Sequence, residues 1–152
     1  MQGRKSCTTS RGFTLIELVI VMGLIIIVSM GVTFSVRGNN YRVLHNASLA
    51  LQSDLRYAQR RAITEGRRHG IVFERVSNRY HIVLNHPREL IRTVYLPRGV
   101  IIQDITANQL MFLPRGTASS GFSITLANGN YRQELTATVS GGRIRVWDIV
   151  QN

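Results

Sequence analysis

At 152 residues and a formal charge of +11, the chain has room for one small domain with a modest core. Three of the positive residues, Arg4, Lys5 and Arg11, precede an apolar run that starts at Phe13; the remainder carries 16 arginines against 8 acids, a net +8, and no lysine. The single cysteine, Cys7, excludes an intramolecular disulfide and a multi-thiolate metal site. An arginine-only balance reads either as codon usage or as planar guanidinium groups placed to grip phosphates or carboxylates.

Residues 13–36 form the first element, a run of 24 positions with one charge, Glu17. As a helix it would extend about 36 Å, enough for a hydrocarbon core of about 30 Å. Basic residues ahead of it favour a cytoplasmic N-terminus, with the bulk of the chain translocated. A secretory signal peptide shares the basic start, but this run is long and no Ala-x-Ala ends it. Neither a signal peptide nor a plain signal anchor accounts for Glu17. A charge in a spanning helix costs roughly 2.5–3.5 kcal/mol at the centre and less near the interface. In the first turns the partly positive helix N-terminus favours an anion.

Gly12-Phe13-Thr14-Leu15-Ile16-Glu17-Leu18, after a short basic segment and before an apolar helix, resembles the processing site of type IV pilins and pseudopilins. The resemblance implies that residues 1–12 are a leader and that a membrane-embedded prepilin peptidase cuts between Gly12 and Phe13. The same enzyme would N-methylate Phe13. It implies further that Glu17 neutralises the Phe13 amine of a neighbouring subunit during filament assembly, which removes the penalty each charge bears alone in an apolar bundle. The implied location is the bacterial cytoplasmic (inner) membrane, with a single span through lipid, the N-terminus cytoplasmic and the C-terminal domain outside, and afterwards a filament. Cys7 and Lys5 would leave with the leader. The helix lacks the midway proline of many major pilins, which points away from a major-subunit role.

The pattern then changes to an amphipathic helical half over residues 37–67. Leu44, Ala47, Leu51, Leu55, Ala58 and Ala62 recur at steps of three to four and share one face, while Arg42, His45, Gln52, Arg56 and Arg60 mostly point elsewhere. Gly66 is the expected stop. Residues 68–152 read as an antiparallel β domain. Candidate strands are 69–75, 79–84, 90–96, 100–105, 110–113, 122–127, 131–139 and 143–150, with a turn at Ser77-Asn78 and hairpin signals at Asn128-Gly129-Asn130 and Gly141-Gly142. The fold class is α+β, a long N-terminal helix packed on an antiparallel β domain. A two-residue Gly141-Gly142 turn would pair Ser140 with Arg143, Thr138 with Arg145 and Thr136 with Trp147. Leu135, Ala137, Val139, Ile144 and Val146 would then share the core face.

Phe112-Leu113-Pro114-Arg115-Gly116, the strand at 124–126 and the closing Gly142-Arg143-Ile144-Arg145 are similar to the C-terminal domain of the GspH/FimT group of minor pilins and pseudopilins, over roughly residues 45–147. In FimT-like DNA-uptake pilins a Gly-Arg-x-Arg element contributes to DNA binding, and Gly142, Arg143 and Arg145 occupy that pattern, with Trp147 available to stack on a base. The resemblances imply a structural subunit of a type II secretion pseudopilus or a type IV pilus; the alternative is a DNA-binding minor pilin for uptake in natural competence. Its partners would be other pilin or pseudopilin subunits, the peptidase, membrane lipid and, in the alternative, DNA. Any assembly ATPase is a separate polypeptide. No catalytic constellation, cofactor motif or metal spacing is evident. His45, His69, His81 and His86 read as exposed polar residues. Gly116–Gly121 resembles half a phosphate loop but lacks its lysine.

Overall fold

A computed structural model describes residues 14–85 and 89–151, and for 28–38 the backbone alone. The expected leader, with Gly12 and Phe13, lies outside the described residues, as does His86. The chain divides into two compact units, Met1–Arg37 and Gly38–Asn152. One helix, α1 (Leu15–Glu65), contributes to both, and the backbone is helical through Gly38, Asn39 and Asn40.

In the second unit, Leu44, Leu51, Leu55, Ala58 and Ala62 are 1% exposed or less. The three-to-four spacing alone therefore identified the packed face of α1. The helix ends at Glu65 because Gly66, at φ +63°, takes the left-handed cap conformation that a side chain would disfavour.

Among the described residues nine antiparallel strands follow: β1 (His69–Glu74), β2 (Arg79–Leu84), β3 (Glu89–Tyr95), β4 (Ile101–Ile105), β5 (Gln109–Phe112), β6 (Phe122–Asn128), β7 (Tyr131–Ala137), β8 (Ile144–Val146) and β9 (Val150–Gln151). They form one sheet in the order β3-β2-β1-β5 and another in the order β4-β6-β7-β8, with β9 also on β7. Apolar residues alternate along β6, where Phe122, Ile124 and Leu126 are buried and Ser123 and Thr125 are partly open. Phe73 of the first sheet and Phe122 of the second stack with centroids 5.2 Å apart, joining the two layers. The core cluster, with the apolar residues packed on it, draws its members from positions 43–149, so the second unit carries its own core.

The last hairpin departs from the expected register. Thr136 faces Arg145, Ala137 faces Ile144 and Leu135 faces Val146, two residues away from the two-glycine turn. Thr138 N–H donates to the Arg143 carbonyl at 3.1 Å and Gly142 N–H to the Thr138 carbonyl at 3.1 Å, so residues 139–142 form a four-residue loop. A shift of two preserves each side chain's face. Arg143 and Arg145 therefore stay on the solvent side as expected, but Val139 moves into the loop and is 48% exposed. The expected strand over 143–150 is split, its strand assignment lapsing over residues 147–149.

Candidate functional site

Two regions hold the sequence-predicted residues. In the first unit, Thr14 precedes the first helical turn, and Glu17 N–H donates to the Thr14 carbonyl at 3.1 Å and, at 3.4 Å, to Thr14 Oγ1. Thr14-Leu15-Ile16-Glu17 has the T-x-x-E form of a capping box, which places Glu17 at the third helical position, within reach of the positive end of the helix. Around it the helix is apolar on every side: Leu15, Ile16, Leu18, Val19, Ile20, Met22 and Leu24–Ile27 are all more than half exposed. Such a surface calls for an apolar environment or other helices to cover it. Among the described residues no helix is long and apolar enough to cross a membrane; the described side chains stop at Ile27, partway along the 13–36 run.

The second region is the end of the β8 hairpin, tied to α1 by a residue that the sequence patterns did not single out. Gln59 Nε2 donates to the Gly116 carbonyl at 2.7 Å and to the Gly142 carbonyl at 3.1 Å. One helix side chain thus holds two loops, those of Leu113-Pro114-Arg115-Gly116 and Gly142-Arg143. Gly142 has φ +58°, and a Cβ there would sit 2.2 Å from the Gly116 carbonyl oxygen. The glycine of the Gly-Arg-x-Arg element is required by this close approach. Beyond it, Arg143 and Arg145 are exposed, and among the described residues neither has an ion-pair partner. Trp147 is half-exposed, its indole N–H donating to Thr136 Oγ1 at 3.2 Å.

The histidines are a correction. His69 is buried, with Nε2 2.7 Å from Glu65 Oε2, because β1 begins under the end of α1. His81 lies 2.9 Å through Nδ1 from Thr93 Oγ1, and both it and His45 are half-buried. Other polar groups stabilise the scaffold. Tyr80 O–H donates to Asp54 at 2.7 Å, and burial, helped by that carboxylate, pushes the phenol well above its ordinary range. The Arg79 guanidinium holds the Glu74 carboxyl down at about 2. Hydrogen bonding from Arg61 likewise lowers Glu65, with His69 contributing. Among the described residues no three His, Cys, Asp or Glu side chains gather as a metal site. The segment after Gly116 turns back as a bridge, Phe112 facing Ala118 and Ser119 N–H donating to the Met111 carbonyl at 2.8 Å, so those groups serve the β scaffold.

A long N-terminal helix packed through its second half on antiparallel sheets defines an α+β, pilin-like architecture. A family model described as Type II transport protein GspH matches residues 47–142, and the prokaryotic N-terminal methylation motif matches residues 7–33. The chain belongs to the GspH family. Comparison with curated proteins gives no match. Among solved structures, the minor pseudopilin EpsH from the Type 2 Secretion System of Vibrio cholerae aligns at 16% identity over 68% of this chain and 95% of that chain, with a TM-score of 0.59. The type IV minor pilin FimU of Pseudomonas aeruginosa aligns at 18% identity over 76% of this chain and 92% of that one, also at 0.59. At these identities the likeness establishes the fold.

Proposed function

We propose that this chain is a minor pilin or pseudopilin, a structural and non-catalytic subunit of a type II secretion pseudopilus or a type IV pilus. The observation that carries this reading is the order of two matches in one chain: the methylation motif over residues 7–33, then the GspH family over 47–142. In this reading prepilin peptidase removes residues 1–12 and methylates Phe13. The 13–36 helix spans the inner membrane with its N-terminus in the cytoplasm, the unit from Gly38 onward folds outside, and a separate ATPase drives assembly with other subunits. Glu17, held at the start of an exposed apolar helix, is then the acid that receives the Phe13 amine of the next subunit. Co-expression with an active prepilin peptidase tests it. The chain should lose residues 1–12 and carry N-methylphenylalanine by mass spectrometry, whereas Gly12→Leu should keep its full size. Retention of the leader by the unmutated chain would refute the reading.

A second reading, DNA binding, is supported by one observation: Arg143, just before β8, and Arg145, on it, are exposed with no ion-pair partner among the described residues. Arginines so placed grip phosphates in a salt-sensitive, sequence-independent way. A mobility-shift titration of residues 38–152 should show binding at low salt that Arg143→Ala with Arg145→Ala weakens. Binding that survives the double substitution would sink it.

A further inference from the structure

On the outer face of the second sheet the register sets residues side by side. Thr125 faces Glu134 across β6 and β7, and Trp147 N–H donates to the Glu134 carbonyl at 2.9 Å, which completes a row of three. One step along, Arg132 faces Val150 of β9. Asp148 follows in the segment between β8 and β9. These six residues line an open cleft of about 560 Å³. Small-molecule sites commonly have about 300–1,000 Å³.

The indole is held in place: Nε1–H donates to Thr136, and Gln133 Nε2 donates to the Trp147 carbonyl at 3.0 Å. Trp147 is nonetheless 51% exposed. A large aromatic fixed by hydrogen bonds and left open to solvent is a stacking platform. The polar groups around it keep hydrogen-bonding capacity in reserve. Glu134 accepts one bond, from Ser123 Oγ at 2.5 Å. Among the described residues, Arg132, Glu134 and Asp148 form no ion pair although they line one cleft. One guanidinium and two carboxylates offer donors and acceptors together.

Charge decides among ligand classes. A polyanion would meet two carboxylates beside the platform. A basic segment would meet Arg132 on a chain whose arginines outnumber its acids. A neutral ligand rich in hydroxyls meets neither penalty and uses both signs of hydrogen bonding, while a pyranose ring presents a C–H face that stacks on an indole. We propose that this cleft binds a neutral saccharide, one ring on Trp147 and its hydroxyls on Arg132, Glu134, Asp148 and Thr125. The inference does not depend on the filament reading.

The chain has one tryptophan, so its fluorescence reports this cleft directly. The full-length chain in a non-glycosidic detergent is titrated with chitotriose and with maltotriose. The expected result is a saturable change in emission for at least one, with Kd of about 1 mM or below. Glu134→Gln and Asp148→Asn should each weaken it by about tenfold or more, the loss of a charge-assisted hydrogen bond, with an unchanged circular dichroism spectrum. By calorimetry Trp147→Ala should abolish binding, while Arg56→Ala, on the exposed face of α1, should leave it unchanged. No saturable response to either sugar, or binding unaffected in the Glu134→Gln, Asp148→Asn double variant, overturns the proposal. So does a tighter response to oligothymidylate or to an arginine tetrapeptide, which would assign the cleft to a polyanion or a basic partner.

Discussion

Gly141 and Gly142 are neighbours in one loop, yet replacing each by alanine should have opposite consequences. At Gly141 a Cβ meets nothing within 4 Å, and its φ is not left-handed. Gly141→Ala should therefore be neutral, or stabilising by a few tenths of a kcal/mol through a less flexible unfolded chain. At Gly142 the new Cβ would lie 2.2 Å from the Gly116 carbonyl oxygen and 2.3 Å from Gln59 Nε2, at φ +58°. Left-handed strain contributes about 1 kcal/mol. Opening the loop contact and weakening the two Gln59 hydrogen bonds adds about 2 kcal/mol. A total of about 3 kcal/mol lowers Tm by about 10–15 °C in a domain of this size. The assay is thermal and urea unfolding of residues 38–152, the unit that carries its own core, followed by circular dichroism. Gln59→Ala should cost about 1–3 kcal/mol, and the Gln59→Ala, Gly142→Ala pair less than the sum, because both act on one contact. If Gly142→Ala melts within about 2 °C of the unmutated domain, the tether holds neither loop and the reasoning fails.

Further outcomes can be measured on the same domain. Leu51→Ala, at a fully buried position of α1, should lose about 2–5 kcal/mol in urea unfolding, whereas Arg56→Ala on the exposed face of the same helix should stay within about 0.5 kcal/mol. Asp54→Ala leaves the buried Tyr80 hydroxyl without its acceptor and should cost about 1–3 kcal/mol by the same measurement. Glu74 has its pKa lowered from 4.5 to about 2, so the stability it contributes is present above pH 4.5 and is lost as pH falls through 2. Melting profiles across that window should be flatter for Glu74→Gln, and the difference should shrink at high salt because the pair is exposed. In cells, Glu17→Val should still be cleaved by the peptidase but should be missing from sheared filaments; normal incorporation would remove the assembly role.

The helix face was legible because six apolar positions at one spacing leave a single arrangement that buries them all. The strands were legible from alternation between turn residues, and the hairpin expected at Asn128-Gly129-Asn130 closes there, with Asn128 facing Tyr131. The Gly141-Gly142 turn misled because its geometry is set by a distant contact. Gln59, 83 positions earlier than Gly142, donates to the Gly142 carbonyl and ties the loop to the helix. Gln59 itself left no pattern, since a glutamine beside the apolar stripe looks like solvent-facing polarity. His69 was misread for a related reason: nothing local shows that the strand starts beneath a helix end whose last residue is a glutamate. The Thr125, Glu134 and Trp147 row needed the register, which composition does not carry.

The short, divided strand at the margin of the second sheet has a consequence for how the molecule meets its neighbours. A long straight margin would invite another chain to continue the ladder, a contact that is strong and slow to undo. Here the margin comprises three residues of β8 and two of β9, with one arginine, Arg145, on the first. Such a margin disfavours strand addition, and encounters at this edge fall to side chains, whose contacts form and release singly.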